Sequence, residues 1–241
     1  MILCVGRGYI GKALSEYDNF EVISHKDFLV KPLVQNYQAV VNCAGITGDG
    51  KCTLVGYAEA IKANVEFPLK VEEICTMAGV PFIHFTSTGI SKKQIAGDLT
   101  DSLTEDMQVY PHNLYCASKI LCESTLKNKN TLIFRLPWVV APGVFESRIK
   151  NWTAVQDTYT SILEIKDLAD TICKIVEKQK TDAYTYYPAK VNIFHVKTSD
   201  VYFPDFIKNN YGLDLPIRKE YPSSMTASVP VNNSRIKERI R

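Results

Sequence analysis

The chain of 241 residues is long enough to bury a sizeable hydrophobic core without disulfide bonds or structural metals. Its 28 basic and 26 acidic residues give a formal charge of +2, which creates no general attraction to nucleic acid or to an anionic membrane. No stretch reaches the roughly 18 consecutive apolar residues of a membrane span, and the N-terminal MILCVG is too short for a signal peptide. We therefore expect a globular protein without nucleic-acid or membrane partners.

The seven cysteines are odd in number and form no Cys-x-x-Cys pair, so nothing in their spacing indicates a disulfide framework. Most of them lie among apolar residues, where a thiol behaves as a small hydrophobic group. We therefore expect free cysteines, no bound metal and a cytoplasmic location.

Short apolar runs alternate with helical patterns through the first half of the chain. The runs are rich in Val, Ile and Phe and predict buried strands over 2–6, 20–24, 38–45, 80–88 and 131–137. Helical spacing between the runs predicts helices over 9–17, 31–37, 56–78 and 112–127, the third of them with a possible interruption at Pro68. This alternation predicts an α/β fold, a Rossmann-like, doubly wound parallel sheet.

The rhythm changes after residue 137, where Pro137 and Pro142 begin a loop-rich region. Beyond it we predict a helix over 165–179, strands over 184–188 and 192–196, and a helix over 199–212. We expect residues 1–137 to form a dinucleotide-binding core. Residues 138–241 are expected to complete the sheet and to form a small C-terminal substrate-binding cap.

A Gly-x-Gly-x-x-Gly run lies between the first predicted strand and the first predicted helix, the context in which this motif binds a dinucleotide. Gly6 permits a tight turn, Gly8 lets a diphosphate approach the backbone, and Gly11 lets the helix pack against the strand. Amides at the start of the helix then face the anion. The alternative is a glycine-rich turn without a ligand. The predicted cofactor loop comprises Gly6, Arg7, Gly8, Tyr9, Ile10 and Gly11.

The end of the second predicted strand bears on which dinucleotide is bound. A carboxylate at this point would bind the ribose hydroxyls of NAD, but Ser24, His25 and Lys26 come before Asp27. Together with Arg7, the first three residues suit the 2′-phosphate of NADP. We therefore favour NADP(H) over NAD(H), with the alternative that Asp27 reaches the ribose and Arg7 faces solvent.

Tyr115 and Lys119 lie four residues apart in a predicted helix and so share one face of it. A phenol has a pKa of about 10 and is a poor acid at neutral pH, but a neighbouring ammonium lowers that pKa. The strand that precedes this helix ends in Ser87 and Thr88, where doubly wound sheets bind ligands. Thr88 would then hold a substrate carbonyl while Tyr115 donates a proton to it. Alternatively, Tyr115 and Lys119 are a solvated pair.

Seven segments in order resemble those of the extended short-chain dehydrogenases/reductases, the group of nucleotide-sugar epimerases, dehydratases and reductases: GRGYIG, VVNCAGITG, KANVEFPLKV, FIHFTSTGIS, YCASK, FRLPWVV and EIKDLADTI. The resemblance implies that Thr88, Tyr115 and Lys119 are catalytic. It also implies a cofactor site that includes Asn42, Cys43, Ala44, Gly45, Asn64, Ser87, Tyr115, Lys119, Pro137 and Trp138. Asn42 and Asn64 are alternatively a turn residue and a helix-packing residue.

Within this group, dehydratases carry an Asp-Glu pair directly after the catalytic hydroxyl, where this chain has Gly89 and Ile90. Bifunctional epimerase-reductases place a cysteine at the position of Ile90. The segments TLIFRLPWVVAP and VVNCAGITG instead resemble dTDP-4-dehydrorhamnose reductases and related rhamnose-synthesising reductases. That resemblance implies NAD(P)H-dependent reduction of a nucleotide-linked 4-keto-6-deoxy sugar. Two alternatives stay open: a nucleotide-sugar epimerase that retains NAD, and a non-enzymatic dinucleotide-binding regulator or scaffold.

The resemblance also suggests residues for the substrate, in addition to Thr88. Arg148 and Lys150 follow the loop after the fifth predicted strand, where the family binds the nucleotide diphosphate, and Trp152 is a candidate for stacking on a base or sugar. Alternatively, the two cations are solvated and Trp152 is a packing residue.

Family members often form homodimers through the helix that carries the tyrosine. In this chain the apolar residues Ile120, Leu121 and Leu126 serve either the core or such a dimer.

Overall fold

Short strands make up the sheets of the protein, which the computed structural model describes over residues 1–30, 33–90, 104–156, 159–181, 193–218 and 232–240. In chain order the strands are β1 (Ile2–Val5), β2 (Phe20–Ile23), β3 (Val40–Asn42), β4 (Phe82–Ser87), β5 (Thr131–Leu136), β6 (Trp138–Val140), β7 (Val155–Gln156), β8 (Tyr159–Glu164), β9 (Ile193–His195), β10 (Ser199–Tyr202) and β11 (Ile217–Arg218).

The α-helices are α1 (Tyr9–Leu14), α2 (His25–Val30), α3 (Asp49–Val55), α4 (Tyr57–Ile61), α5 (Phe67–Ala78), α6 (Leu114–Thr125), α7 (Val144–Ile149), α8 (Ile165–Thr181), α9 (Phe203–Tyr211) and α10 (Ser234–Arg239). None of the helices in the described ranges is long and apolar enough to span a membrane.

Six parallel strands form the central sheet in the order β2-β1-β3-β4-β5-β9. The chain runs from β1 to one side and then returns to the other side at β3, so the strand order reverses between these two strands. In such sheets the crevice at the carboxyl ends of the strands around the reversal point is where ligands bind.

Both faces of the central sheet are covered by apolar clusters. Helices α1, α8 and α10 contribute to the cluster on one face, and α2, α5 and α6 to the cluster on the other. Side chains of β1 alternate between them: Ile2 and Cys4 belong to the first cluster, and Leu3 and Val5 to the second. The predicted α/β class and doubly wound parallel sheet are therefore confirmed.

The second helix lies earlier than predicted. A helix was expected over 31–37, but α2 begins at His25, and beyond it a single 3-10 turn covers Val34–Asn36, with residues 31 and 32 outside the described part. The cause is a cap at Ser24, whose Oγ accepts a hydrogen bond from Asp27 N at 3.1 Å and donates one to Asp27 Oδ2 at 2.7 Å. The residues proposed to select the dinucleotide therefore form the first turn of a helix.

The third predicted helix, 56–78, is divided in the structure. Gly56, at φ 85°, separates α3 from α4, and a π-helical turn over Lys62–Glu66 separates α4 from α5. Pro68 has no N–H to donate to the carbonyl one α-turn earlier, and it lies in the first turn of α5, directly after the π-helical turn. The interruption expected at Pro68 thus begins a few residues before it.

The region after residue 137 contains more regular structure than was predicted. A second sheet, in the order β10-β8-β6, and helix α7 occupy much of what was expected to be loop-rich. Residues 199–202 were predicted to be helical but form β10, and α9 begins only at Phe203. The predicted strand 184–188 lies outside the described residues, whereas the strand predicted over 192–196 corresponds to β9.

The cysteines and the apolar residues at the end of α6 can be compared with their predictions. All seven cysteines lie in the described part of the chain, and none of them forms a disulfide bond there. Leu126, directly after α6, is buried in the apolar cluster against the sheet, whereas Leu121 of α6 is 39% exposed. Leu126 therefore serves the core, and the homodimer stays a prediction.

A buried histidine links β3, β4 and α6. The Asn42 Oδ1 atom accepts a hydrogen bond from Ala44 N at 3.0 Å, so the Asn42 Nδ2 amide faces His84 Nδ1 at 3.2 Å. Since that amide donates, His84 Nδ1 is unprotonated, and the proton lies on Nε2, 3.4 Å from Cys122 Sγ. Burial, with a smaller contribution from the charge of Lys119, holds the pKa of His84 well below its usual value.

This arrangement predicts a specific acid sensitivity. Below about pH 6.5 the unfolded chain binds a proton at His84 that the folded protein does not, so stability falls with decreasing pH by up to about 1.4 kcal/mol per pH unit. Urea unfolding of the protein and of His84→Gln at pH values from about 5 to 7.5 measures this. The variant should be less stable at neutral pH but lose less stability on acidification. Equal pH dependences would contradict the assignment of a neutral, buried His84.

Candidate active site

The glycine loop lies at the point where the strand order reverses. Gly6 has φ 119°, and a Cβ atom at this position would lie 2.5 Å from Ala44 N, so the loops after β1 and β3 touch there. A Cβ at Gly11 would lie 1.9 Å from the Gly6 carbonyl oxygen, which shows why α1 begins so close to the strand. At Gly8 the nearest atom to such a Cβ is 3.9 Å away. The loop therefore has an open backbone approach at Gly8, as a dinucleotide diphosphate requires.

The residues proposed to select the dinucleotide surround Asp27. The hydrogen bond from Ser24 is the largest cause that lowers the pKa of the Asp27 carboxyl, and the positive charges of Arg7 and His25 lower it further. The His25 ring packs edge-on against Phe67, with ring centroids 5.9 Å apart. The structure thus brings together Arg7, Ser24 and His25 around one carboxylate. The Ser24 hydroxyl is already hydrogen-bonded to that carboxylate. Lys26, in the first turn of α2, is exposed.

Two buried asparagines shape the loop that follows β3. Besides its contacts to Ala44 and His84, Asn42 is 1% exposed. The fully buried Asn64, in the π-helical turn, accepts a hydrogen bond from Ile46 N at 2.8 Å and donates to Ile46 O at 3.0 Å and to Ser118 Oγ at 2.9 Å. These contacts match the alternative of a turn residue and a helix-packing residue. Both asparagines determine the course of the segment Asn42, Cys43, Ala44 and Gly45.

Helix α6 presents its polar residues to the end of β4. The helix begins after Asn113, whose Oδ1 accepts a hydrogen bond from Cys116 N at 2.8 Å. Lys119 Nζ is buried, donates to Phe85 O at 3.0 Å, and lies 5.9 Å from the centroid of the Tyr115 ring. A Cβ at Gly45 would lie 3.7 Å from Lys119 Nζ, so the ammonium lies directly beside the loop after β3.

The side chain of Ser87, the last residue of β4, lies next to the Tyr115 hydroxyl and lowers the pKa of that hydroxyl. Ser87 Oγ also accepts a hydrogen bond from Gly89 N at 3.1 Å. Thr88, the predicted catalytic hydroxyl, is the first residue of a 3-10 turn over Thr88–Ile90. The structure thus brings together Ser87, Tyr115 and Lys119, and Ser87 is the hydroxyl at the end of β4 that acts on the pKa of Tyr115. The catalytic role of Thr88 stays a prediction.

The electrostatics of the site differ from the expectation that Lys119 makes Tyr115 more acidic. Burial raises the pKa of Tyr115 to about 12, and the effects that oppose this rise are the Ser87 hydrogen bond and the charge of Arg148. Burial also lowers the pKa of Lys119. Arg148 was predicted as a substrate ligand, and its electrostatic effect on Tyr115 was not foreseen.

Arg148, on α7, lies over two aromatic rings next to the site. Its guanidinium carbon is 5.2 Å from the ring centroid of Trp138 and 5.9 Å from that of Tyr9. Lys150 is exposed beyond the end of α7. Trp152 packs edge-on against Trp138 with centroids 5.7 Å apart, so its contacts match the alternative of a packing residue. Of Arg148, Lys150 and Trp152, Arg148 is thus the predicted substrate ligand whose charge acts on Tyr115.

Tyr9 joins the glycine loop to the second sheet. Its hydroxyl donates to Val139 O at 2.8 Å and accepts from Ala141 N at 3.3 Å. Pro137 connects β5 to β6, and the Trp138 ring stacks on Phe203 with centroids 5.4 Å apart. Tyr9 was predicted as part of the cofactor loop, but its contact with β6 was not, because it joins residues 130 positions apart.

The sequence profile of the RmlD substrate binding domain family matches residues 25–234. The chain belongs to this family. The resemblance to dTDP-4-dehydrorhamnose reductases is thereby confirmed at family level. The glycine loop precedes the matched residues, so its assignment rests on its own motif and geometry. No curated protein sequence matches the chain.

Solved structures similar to this member of the RmlD substrate binding domain family share its fold. A dTDP-4-dehydrorhamnose reductase from Clostridium acetobutylicum is 20% identical, with TM-score 0.71 over 98% of this chain and 91% of that one. The dTDP-4-dehydrorhamnose reductase from Bacillus anthracis, in complex with NADP, is 17% identical, with TM-score 0.74 and the same two coverages of 98% and 91%. MoeE5 in complex with UDP-glucose and NAD is 15% identical, with TM-score 0.72, again over 98% and 91%.

In this family member, the double hydrogen bond of the Tyr9 hydroxyl predicts a measurable contribution to stability. Tyr9→Phe removes both bonds and leaves the Val139 carbonyl and the Ala141 amide without this partner, so we expect a loss of about 1 to 2 kcal/mol in the free energy of unfolding. Tyr37→Phe is the matched control, because it removes an exposed hydrogen bond to Glu21 of 2.8 Å. Denaturant unfolding should show a smaller loss for the control, and equal losses would contradict a structural role of the Tyr9 hydroxyl.

Proposed function

We propose that this protein is an NAD(P)-dependent oxidoreductase that reduces a nucleotide-linked 4-keto-6-deoxy sugar. The observation that carries the proposal is the grouping of Ser87, Tyr115 and Lys119 at the carboxyl end of the central sheet. Lys119 Nζ lies beside the loop after β3, and that loop touches the glycine loop at Gly6. A hydroxyl pair with a neighbouring ammonium is suited to hold and protonate a carbonyl oxygen. The family and the names of its structural neighbours support a sugar reductase.

The residues divide the chemistry between them as follows. A bound reduced nicotinamide supplies the hydride that is added to the carbonyl carbon. Ser87 and Tyr115 donate hydrogen bonds to the carbonyl oxygen, and the Tyr115 proton is transferred to that oxygen as the alcohol forms. The resulting phenolate is stabilised by Ser87 and by the charge of Arg148, and it takes its next proton from solvent. The Lys119 ammonium lies 5.9 Å from the centroid of the same ring.

NADP(H) is the favoured coenzyme. The adenosine end of the site has three cationic or basic side chains, Arg7, His25 and Lys26, and the one carboxylate among them, Asp27, is held by the Ser24 hydroxyl. A 2′-phosphate gains from this positive charge. The structures of relatives support a nicotinamide dinucleotide in general, since one is bound to NADP and another to NAD.

The substrate is assigned to the second sheet and the helices around it, which form the cap within residues 138–241. Arg148 is the candidate ligand of the sugar nucleotide that lies nearest Tyr115, while Lys150 and Trp152 stay predictions as further ligands. Seven cysteines without a disulfide pair suit the cytoplasm.

Oxidation of NADPH, and separately of NADH, with dTDP-, UDP- and GDP-linked 4-keto-6-deoxyhexoses tests the proposed reaction. We expect turnover with one of these sugars, faster with NADPH. Tyr115→Phe should lower kcat by about 10² or more, because the proton donor is lost. Tyr57→Phe, at an exposed tyrosine of α4, is the control and should be fully active.

Two outcomes of this assay contradict the reductase. Undiminished turnover by Tyr115→Phe excludes the proposed proton donor. Purified protein that retains NAD and interconverts sugars without net coenzyme oxidation is an epimerase instead.

The neighbouring hydroxyls of Ser87 and Thr88, at the end of β4 and directly after it, can be distinguished by the same assay. Ser87→Ala removes the hydroxyl next to Tyr115 and a donor to the carbonyl oxygen, so kcat should fall by about 10². Thr88→Ala keeps the Ser87 hydroxyl and should have a much smaller effect. If Thr88→Ala lowers kcat more than Ser87→Ala does, Thr88 is the catalytic hydroxyl, as the sequence predicted.

A further inference from the structure

Glu123 lies one helical turn after Lys119 on α6 and makes contacts with two strands of the central sheet. Its side chain, 7% exposed, forms an ion pair with the 4% exposed side chain of Arg135 on β5. Arg135 Nε lies 3.0 Å from Oε1, and Arg135 Nη2 lies 2.7 Å from Oε2, a two-pronged geometry that fixes orientation as well as distance. On β4, Thr86 Oγ1 donates a hydrogen bond of 2.5 Å to Oε1 of the same carboxylate.

Each residue of this network is close in the sequence to a residue of the proposed reaction. Thr86 directly precedes Ser87, Arg135 lies two residues before Pro137, and Glu123 shares its helix with Tyr115 and Lys119. The carboxylate therefore connects the helix that carries the proton donor to the strand that carries its hydroxyl partner.

The network extends beyond Arg135 and is itself held in place. Arg135 Nη1 donates to Glu105 O at 3.0 Å, and the Glu105 carboxylate accepts a hydrogen bond from His195 N on β9 at 3.0 Å. Because Arg135 is also bound from this second side, the Glu123 ion pair has little freedom to move.

We propose that Glu123 is a positioning residue whose carboxylate holds α6 at the distance from β4 that brings the Tyr115 hydroxyl to Ser87. The catalytic part of this proposal rests on the reductase function proposed above. Its electrostatic part concerns Lys119 and does not depend on the substrate.

Glu123 also acts on the charge of Lys119. The titratable groups that face this ammonium are Tyr115, Cys122 and Glu123 of its own helix, Cys52 of α3 and His84 of β4. Burial lowers the pKa of Lys119, and Cys122, Glu123 and Cys52 oppose that effect. Burial raises the pKa of Cys122 to about 12, and His84 is neutral, so Glu123 is the one carboxylate in this set of facing groups. It helps to keep Lys119 protonated.

Glu72 provides a matched control on the same face of the sheet. It lies on α5, and its Oε1 accepts a hydrogen bond from Thr131 Oγ1 on β5 at 2.6 Å and another from Asn128 N at 3.1 Å. Like Glu123, it joins a helix to a strand through a threonine, but Thr131 is at the opposite end of β5 from the proposed site.

The experiment compares Glu123→Gln with Glu72→Gln. For each variant we would measure urea unfolding, NADPH affinity, the pH dependence of kcat, and the titration of Lys119 by NMR of 13C-labelled lysine side chains, assigned with Lys119→Met. Glu123→Gln should lower kcat by about tenfold, through displacement of Tyr115 from Ser87. It should also lower the pKa of Lys119 further, since the nearby negative charge is lost and Arg135 keeps its positive charge. Glu72→Gln should leave kcat and the Lys119 titration unchanged, whatever stability it loses.

If Glu123→Gln does not fold, a second variant, Thr86→Val, still tests the proposal. It removes one hydrogen bond to Glu123 but keeps the ion pair. It should therefore lower kcat severalfold without a shift in the Lys119 titration.

The proposal is overturned if Glu123→Gln and Glu72→Gln change kcat equally and the Lys119 titration is unchanged. Glu123 would then be only a stabilising residue. A Thr86→Val variant with full activity would overturn the positioning part. If the protein reduces none of the keto sugars, the reductase function fails, and the Lys119 titration alone then decides: a shift in Glu123→Gln supports the electrostatic role, and its absence refutes it.

Discussion

The contact between Gly6 and the backbone of Ala44 is the constraint on which the site depends. Strands β1 and β3 are neighbours in the sheet although β2 separates them in the chain, and their loops meet only because Gly6 has no Cβ atom. The positions of the loops and of the helix around the crevice depend on this close contact. The loop after β3 must turn at Asn42 and pass Gly45 beside Lys119, which in turn fixes where α6 can lie.

The sheet face under α5 and α6 carries polar side chains at its centre, an arrangement that costs free energy unless every group is paired. His84, Thr86 and Arg135 all point to this face, and each has a partner on α6. His84 has a second partner, Asn42, at the end of β3. A core of apolar residues would give comparable stability with fewer constraints. The polar arrangement fixes the register of α6 against β4 and β5, and a hydroxyl pair that must meet within hydrogen-bond distance needs that register.

Much of the core and part of the site could be predicted because their signals are local. The glycine motif and the Tyr115–Lys119 spacing are each contained within a few residues, and the strands β1 to β5 are short apolar runs. The second sheet was missed because β6 pairs with β8 about two dozen residues later, and such pairing leaves little mark on either segment alone. The choice between Ser87 and Thr88 depends on where β4 ends, and the effect of Arg148 depends on rings that the fold brings to it.

The Tyr9 hydroxyl has a thermodynamic consequence for the two halves of the site. It belongs to the loop that would contact a diphosphate, yet its two hydrogen bonds are to backbone atoms of Val139 within β6 and of Ala141 directly after it. Any ligand that displaces the loop must strain these bonds, and so must any ligand that displaces β6. Free energies of binding on the two sides are then linked through one shared element, and linkage of this kind is reciprocal: whatever coenzyme does to the affinity for sugar nucleotide, sugar nucleotide does equally to the affinity for coenzyme.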